Sequence, residues 1–241
     1  MTANNFEWFQ NTILNLSNDD SNRIQLLSEL KLAISALNIP QLRLITHSLQ
    51  LDIIFDCLNS SETEQVTITS DVLAMLLLSL EPGVVFSQYE DSMRRALGHP
   101  TPCVKKLVIK EMQRTVNDAA LLQKLGIQGD LLLSVVACIC HEDMSVASCA
   151  MTLLTKLGSS PVGLAILFSD SVLQALRGAM SQRDIIRFRV YEVVIDVAVH
   201  SREGLEAVHK SGLLPDLLKE LKDSDVLLQL NTLELLTKLA L

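Results

Sequence analysis

From Gln182 to Val199 the chain reads QRDIIRFRVYEVVIDVAV, and its apolar residues fall on two stripes. Ile186, Val190, Val193, Val194 and Val197 recur at offsets of four, seven, eight and eleven, the spacing of one helix face. Phe188, Tyr191 and Ile195 form a second stripe. A helix with two apolar faces needs neighbours on both sides, as it has inside a stack of repeats.

The same pattern predicts helices from the start of the chain. Phe6 to Leu16 is amphipathic and ends at the polar break SNDDSN (Ser17 to Asn22). Arg23 to Leu37 follows, stopped before Pro40 because the residue ahead of a proline disfavours helix. A short piece, Gln41 to His47, leads into Leu51 to Leu58. The polar loop NSSETE (Asn59 to Glu64) precedes a helix from about Gln65 to Leu80, ended by EPG.

Beyond this point the period is legible. Val66, Val104, Val146, Ile186 and Val226 each begin a long apolar-striped helix, at intervals of 38, 42, 40 and 40 residues. Four of these helices follow the polar turns HPTP, HEDMS, SQRD and KDSD, where Asp and Ser side chains can cap exposed backbone N–H groups. Ahead of each turn lies a shorter helix, marked by Ile53, Met93, Leu133, Leu173 and Leu214 at intervals of 40, 40, 40 and 41. Two independent series with one period signify an internal repeat.

The later units carry a third short segment. Gly163-Leu164 with Ser171, and Gly204-Leu205 with Gly212, each precede the next helix by the same span, and AALLQKLGIQGD stands in the corresponding place one unit earlier. A short helix, a glycine-bearing turn and two further helices make the armadillo plan, which grades into HEAT. The fold expected is therefore all-α: an armadillo/HEAT-like α-solenoid, a curved right-handed superhelix of about five to six repeats. Residues 1–241 would form a single repeat domain. The last helix runs to Leu239-Ala-Leu241 without a capping turn, whereas a solenoid end needs a polar outer face. The expectation is a chain that continues as a longer solenoid, the alternative a partner covering that face.

Composition supports an all-α chain, with 49 % apolar residues, only 4 % aromatic, and few Gly and Pro. The net charge of −8 argues against a nucleic-acid groove, which needs a basic face, and suits either a basic protein partner or plain solubility. Cys57, Cys103, Cys138, Cys140 and Cys149 are an odd number set inside apolar helical patterns, and no secretory signal opens the chain. Reduced cysteines in a cytoplasmic, or also nuclear, protein are expected. The longest apolar runs, Val72 to Leu80 and Leu131 to Cys140, are far too short to span a membrane.

Candidate chemistry is sparse. CICH (Cys138 to His141) has C-x-C-H spacing, whereas structural zinc sites prefer C-x-x-C with a second knuckle, so packing cysteines are the favoured reading. The five histidines fall at helix ends or in turns. No nucleophile elbow, P-loop or H-E-x-x-H is present, so no enzyme, cofactor, metal or small-molecule substrate is expected. The basic and aromatic cluster RFRVY offers Arg187, Arg189 and Tyr191 as partner contacts, since Arg and Tyr often anchor interfaces. Against that stands a structural role: in HEAT-like arrays an Asp in the turn and an Arg after the first Val form an inter-repeat ladder, and Asp184 and Arg187 occupy those places. Nuclear-import adaptors line their groove with Trp and, four residues later, Asn; here the only Trp is Trp8, and Leu227 stands four residues ahead of Asn231, so that array is missing and binding of extended basic targeting peptides in that manner is not expected.

Several segments carry a family resemblance: DIIRFRVYEVVIDV (Asp184 to Val197), SGLLPDLLKEL (Ser211 to Leu221), DVLLQLNTLELLTKLA (Asp225 to Ala240), HPTPCVKKLVIKEMQRTV and HEDMSVASCAMTLLTKL. They resemble the family of 26S proteasome non-ATPase regulatory subunit 5, chaperones of proteasome base assembly, and the likeness weakens before about Asn38. The resemblance implies a chain of roughly twice this length, of which this is the front half. It also implies a curved solenoid holding the C-terminal domain of one proteasomal ATPase, 26S protease regulatory subunit 7, together with base subunits bound to it. Release would precede the mature particle. The resemblance brings no catalytic residues and no contact motif. A scaffold or cargo adaptor binding an extended peptide is the alternative function.

Overall fold

The computed structural model describes residues 3–18, 20–127, 130–222 and 225–240. Asp19, Gln128, Gly129, Asp223, Ser224 and Leu241, which fall within SNDDSN, AALLQKLGIQGD, KDSD and the chain's last segment, lie outside the described residues. Among the described residues there are seventeen α-helices and one 3-10 turn, and no strand.

The helices fall into six groups. The first holds α1 (Ala3–Asn18) and α2 (Arg23–Ser35). Each later group adds a short leading helix. These groups are α3 (Ile39–Thr46), α4 (Leu51–Asp56) and α5 (Thr63–Ser79); then α6 (Pro82–Gln88), α7 (Glu90–Gly98) and α8 (Pro102–Thr115). The fourth comprises α9 (Ala119–Ile127), α10 (Asp130–Cys138) and α11 (Met144–Leu157), and the fifth α12 (Pro161–Leu167), α13 (Asp170–Met180) and α14 (Asp184–His200). The sixth is α15 (Arg202–Ser211), α16 (Leu213–Glu220) and α17 (Val226–Ala240). No single helix among them is long and apolar enough to cross a membrane.

Three expectations need correction. A third short helix is present in the earlier groups too, because EPG begins α6 and does not merely end α5. Pro40 likewise sits in the first turn of α3, behind a capping box formed by Asn38 and Gln41. A proline there loses no hydrogen bond, since first-turn N–H groups have no partner within the helix. Finally, Val226 begins its helix, but it is 65 % exposed, whereas Val66, Val104, Val146 and Ile186 are buried. Those four stand at the third or fourth helical position, and in α17 that place belongs to half-buried Leu228.

Residues 1–111 and 112–241 form two compact units. In the first, α2 packs along α5, and Leu27, Leu30, Ile54, Leu73 and Leu76 are completely buried between helices. In the second, α14 packs against α11, α13, α15 and α17. Every residue of its two predicted stripes except half-buried Phe188 is buried. Burial of such side chains is the main stabilising term, at about 1.5–3 kcal/mol each.

Polar side chains repeat the period across neighbouring groups. Within the first unit Lys31 pairs with Asp71 at 2.7 Å, and Ser92 donates to Asp52 at 3.0 Å, both forty residues apart. Within the second, Arg177 pairs with Asp216 at 3.1 Å and Lys238 with Asp196 at 3.1 Å. Exposed pairs of this kind contribute little stability each, but they mark the register of one group against the next.

Candidate protein-interaction site

The caps that position the site are mixed. Asp143 accepts from the N–H groups of Ser145 and Val146 at the start of α11, as its turn predicted. At α14 the residue before the helix is Arg183, with no side-chain cap, and Asp184 is the first helical residue. An acidic group there favours the positive end of the helix dipole.

Arg187, Arg189 and Tyr191 all fasten α14 to its neighbours. Arg187 pairs through Nη2 with Asp184 Oδ1 at 2.6 Å and through Nε with Glu220 Oε1 of α16 at 3.1 Å. The link to the next group thus runs through Glu220, beyond the Asp184 pair that the turn suggested. Arg189 reaches the other way. Its Nη1 donates to the carbonyls of Ile139 and His141 at 2.6 and 3.1 Å, and Nη2 lies 2.7 Å from Met144 Sδ. Residues two apart on a helix point to nearly opposite sides, so one arginine meets the following group and the other the preceding one.

Tyr191 is 1 % exposed and Arg189 9 %, so of the three only Arg187, at 25 % for its side chain, offers appreciable surface. The Tyr191 hydroxyl donates to Glu220 Oε1 at 3.3 Å, and its ring meets Phe188 edge to face at 5.8 Å. Burial, followed by the Glu220 carboxylate, pushes the phenol above its ordinary value of 10. Above about pH 10 the unfolded chain ionises this tyrosine while the folded chain resists, so stability is retained below that pH and lost above it. Tyr191→Phe should therefore show a smaller fall in melting temperature between pH 9 and 11 than the unmodified chain. An equal fall would mean that Tyr191 does not drive the alkaline loss.

CICH is divided by the end of α10. Cys138 is buried and Cys140 half-buried, and His141 Nδ1 accepts from the Asp143 N–H at 3.0 Å. Burial pushes the Cys140 thiol up, against a downward pull from Arg189 and Arg183.

A feature the sequence did not single out lies alongside these clamps. Between α11 and α14 runs an open groove of about 480 Å³. Met151 and buried Val193 provide its apolar lining, Thr152 and Thr155 one side, Glu192 and Asp196 the other. Glu192 and Asp196 are legible as an i, i+4 acidic pair on one helix face. The small Ser148, Thr152 and Thr155 that leave space opposite them lie some forty residues earlier, and no local pattern joins the two.

Groups of two short helices and one long one, joined by polar links at a forty-residue spacing, define an armadillo-type α-solenoid repeat protein. A computationally designed armadillo repeat protein for modular peptide recognition matches with a TM-score of 0.62 over 95 % of this chain and 99 % of its own, at 15 % identity. A designed armadillo repeat protein in complex with the peptide (KR)4 matches at 0.61 over 95 % and 98 %, at 16 % identity. Within that class the chain belongs to the proteasome non-ATPase 26S subunit family, whose model matches residues 5–241. The 26S proteasome non-ATPase regulatory subunit 5 proteins of Bos taurus and Homo sapiens are each 33 % identical over 214 residues. That alignment covers 89 % of this chain and 42 % of each relative, so the chain spans less than half their length.

Proposed function

We propose that this chain serves, without catalysing a reaction, in assembly of the proteasome regulatory particle base. It would hold the C-terminal domain of an ATPase subunit, 26S protease regulatory subunit 7, while the ring is built, and leave before the mature particle forms. The observation that carries this reading is family membership across residues 5–241. The mechanism is steric: a partner domain held on a solenoid surface, through an interface of about 1,200–2,000 Å², cannot dock prematurely elsewhere. Competing contacts in the completed ring then displace the chaperone. The charge of −8 favours encounter with a basic domain. Cytoplasm, and also nucleus, is the compartment this role requires.

On this reading Arg189 and Tyr191 position α14 from within, and Arg187 is the one of the three placed to touch the partner. The test is calorimetric titration of the purified ATPase C-terminal domain into this chain and into a full-length regulatory subunit 5. Binding by both is expected. Binding by neither overturns the proposal, and binding by the longer protein alone places the contact outside these residues.

The second reading, an adaptor for an extended peptide, is favoured by the open groove between α11 and α14. The likeness to a designed armadillo repeat protein in complex with the peptide (KR)4 supports it at the level of fold alone.

A further inference from the structure

Charge is unevenly spread along this acidic chain. Residues 93–124 hold seven Lys and Arg against two acids, Glu111 and Asp118, while all other residues hold thirteen against twenty-six. The excess gathers on α8, which carries Lys105, Lys106, Lys110 and Arg114, whereas its one acid, Glu111, is buried.

The cations of α8 also differ in what they meet. On the other long helices each Lys and Arg reaches an acid, an amide or a backbone carbonyl. Within α8, Lys105 donates to the Leu97 carbonyl at 2.9 Å, and Arg114 is engaged as well. Among the described residues, Lys106 and Lys110 are the two long-helix cations that meet no acceptor. Lys110 is exposed and Lys106 half-buried, so the stem of Lys106 lies along the surface while its ammonium faces water. They stand four residues apart, on one face of the helix. Like charges at that spacing repel, a small cost that a guest carboxylate turns into attraction.

We propose that this face of α8 binds an acidic amphipathic helix of a partner protein, whose carboxylates, one turn apart, meet Lys106 and Lys110. The inference goes beyond the chaperone and adaptor readings and rests on neither. Carboxylates four apart on a helix recur at about 5–6 Å, the same separation as the two lysines. The ground beside α8 suits the apolar side of such a helix. Ser70 of α5 donates to the Cys103 carbonyl at 3.3 Å and so holds α5 beside the start of α8. The uncovered side of α5 carries half-buried Met75 and Leu78, the latter 66 % exposed. Its Asp71 is already paired with Lys31 and does not repel an acidic guest. A nucleic acid fits less well. Its phosphates would run on past two lysines into a chain that is otherwise strongly acidic, whereas a short row of carboxylates ends with the lysines.

The probe is a fluorescein-labelled sixteen-residue helical peptide with Glu pairs four apart on one side and Leu on the other. It is titrated into the 241-residue chain at low ionic strength and followed by anisotropy, with the same peptide bearing Gln for Glu as control. Saturable binding of the Glu peptide is expected, at least fivefold tighter than that of the Gln peptide. Lys106→Gln with Lys110→Gln should weaken it about fivefold, two exposed ion pairs being lost. Lys210→Gln with Lys222→Gln removes the same charge from exposed positions of the last group and should leave binding unchanged. Neither double variant should lower the melting temperature, so a loss of binding reports the face and not the fold. No binding, equal losses in the two double variants, equal binding of the Gln peptide, or displacement by a single-stranded oligonucleotide at the peptide's own affinity would each overturn the proposal.

Discussion

Arg189→Ala is expected to cost residues 112–241 about 3 kcal/mol, the largest loss for any single charged side chain in this unit. Arg189 is a buried cation whose guanidinium holds the carbonyls of Ile139 and His141, where α10 ends and the turn into α11 begins. Carbonyls at a helix C-terminus carry partial negative charge and lack intrahelical donors, so a cation placed there meets two needs at once. Alanine leaves these acceptors without their buried donor and opens space beside Met144. In a chain of this size the melting midpoint should fall by about 6 °C or more. Arg189→Lys should recover less than half of the loss, because an ammonium lacks the planar fork that spans two carbonyls. Arg187→Ala is the comparison: it releases Asp184, 62 % exposed, to water, while Glu220, 14 % exposed, keeps the Tyr191 hydroxyl, and a smaller loss of about 1 kcal/mol is expected. Equal losses at both positions would show that the link to α10 has no special weight.

The two arginines show how far sequence reaches. RFRVY was recognisable as a basic and aromatic cluster, and its helix as one buried on two faces. Which arginine turns inward depends on where the preceding turn ends relative to α14, and that is decided by packing about fifty residues away. Periodicity resolves a helix's faces well, because burial of Val190, Val194 and Val197 repeats every turn. It cannot say whether a polar residue between two apolar stripes meets water or a neighbour's backbone.

The short leading helices were harder for another reason. α6 has seven residues and α3 eight, barely two turns, so neither shows a full apolar period. Their prolines were legible as helix breakers when each in fact opens a helix. The long helices, at thirteen to seventeen residues, leave no such ambiguity. The groove is not legible in sequence because it is a space, made by small residues on one helix facing acids on another.

The glycines that set the repeat spacing had a pattern without an evident cause, and the structure supplies one. Gly163 and Gly204 each sit in the first turn of a leading helix, α12 or α15, three residues after a capping serine. Ser160 and Ser201 accept from their N–H groups at 3.1 and 2.9 Å. A Cβ at Gly163 would lie 2.0 Å from the Leu157 carbonyl oxygen, and one at Gly204 would lie 2.3 Å from that of Val197. Both oxygens are backbone atoms near the end of the preceding long helix, and they cannot swing aside as a side chain would. Gly163→Ala and Gly204→Ala should therefore each destabilise residues 112–241 by about 3 kcal/mol, although alanine is ordinarily the better helix former. Gly178→Ala in α13 supplies the opposite sign, since a Cβ there meets nothing within 4 Å. It should raise stability by about 0.5–1 kcal/mol through a less flexible unfolded chain. Urea unfolding of the three variants decides the matter. If alanine at Gly163 or Gly204 stabilises as it does at Gly178, the close approach of leading helix to long helix does not constrain those positions.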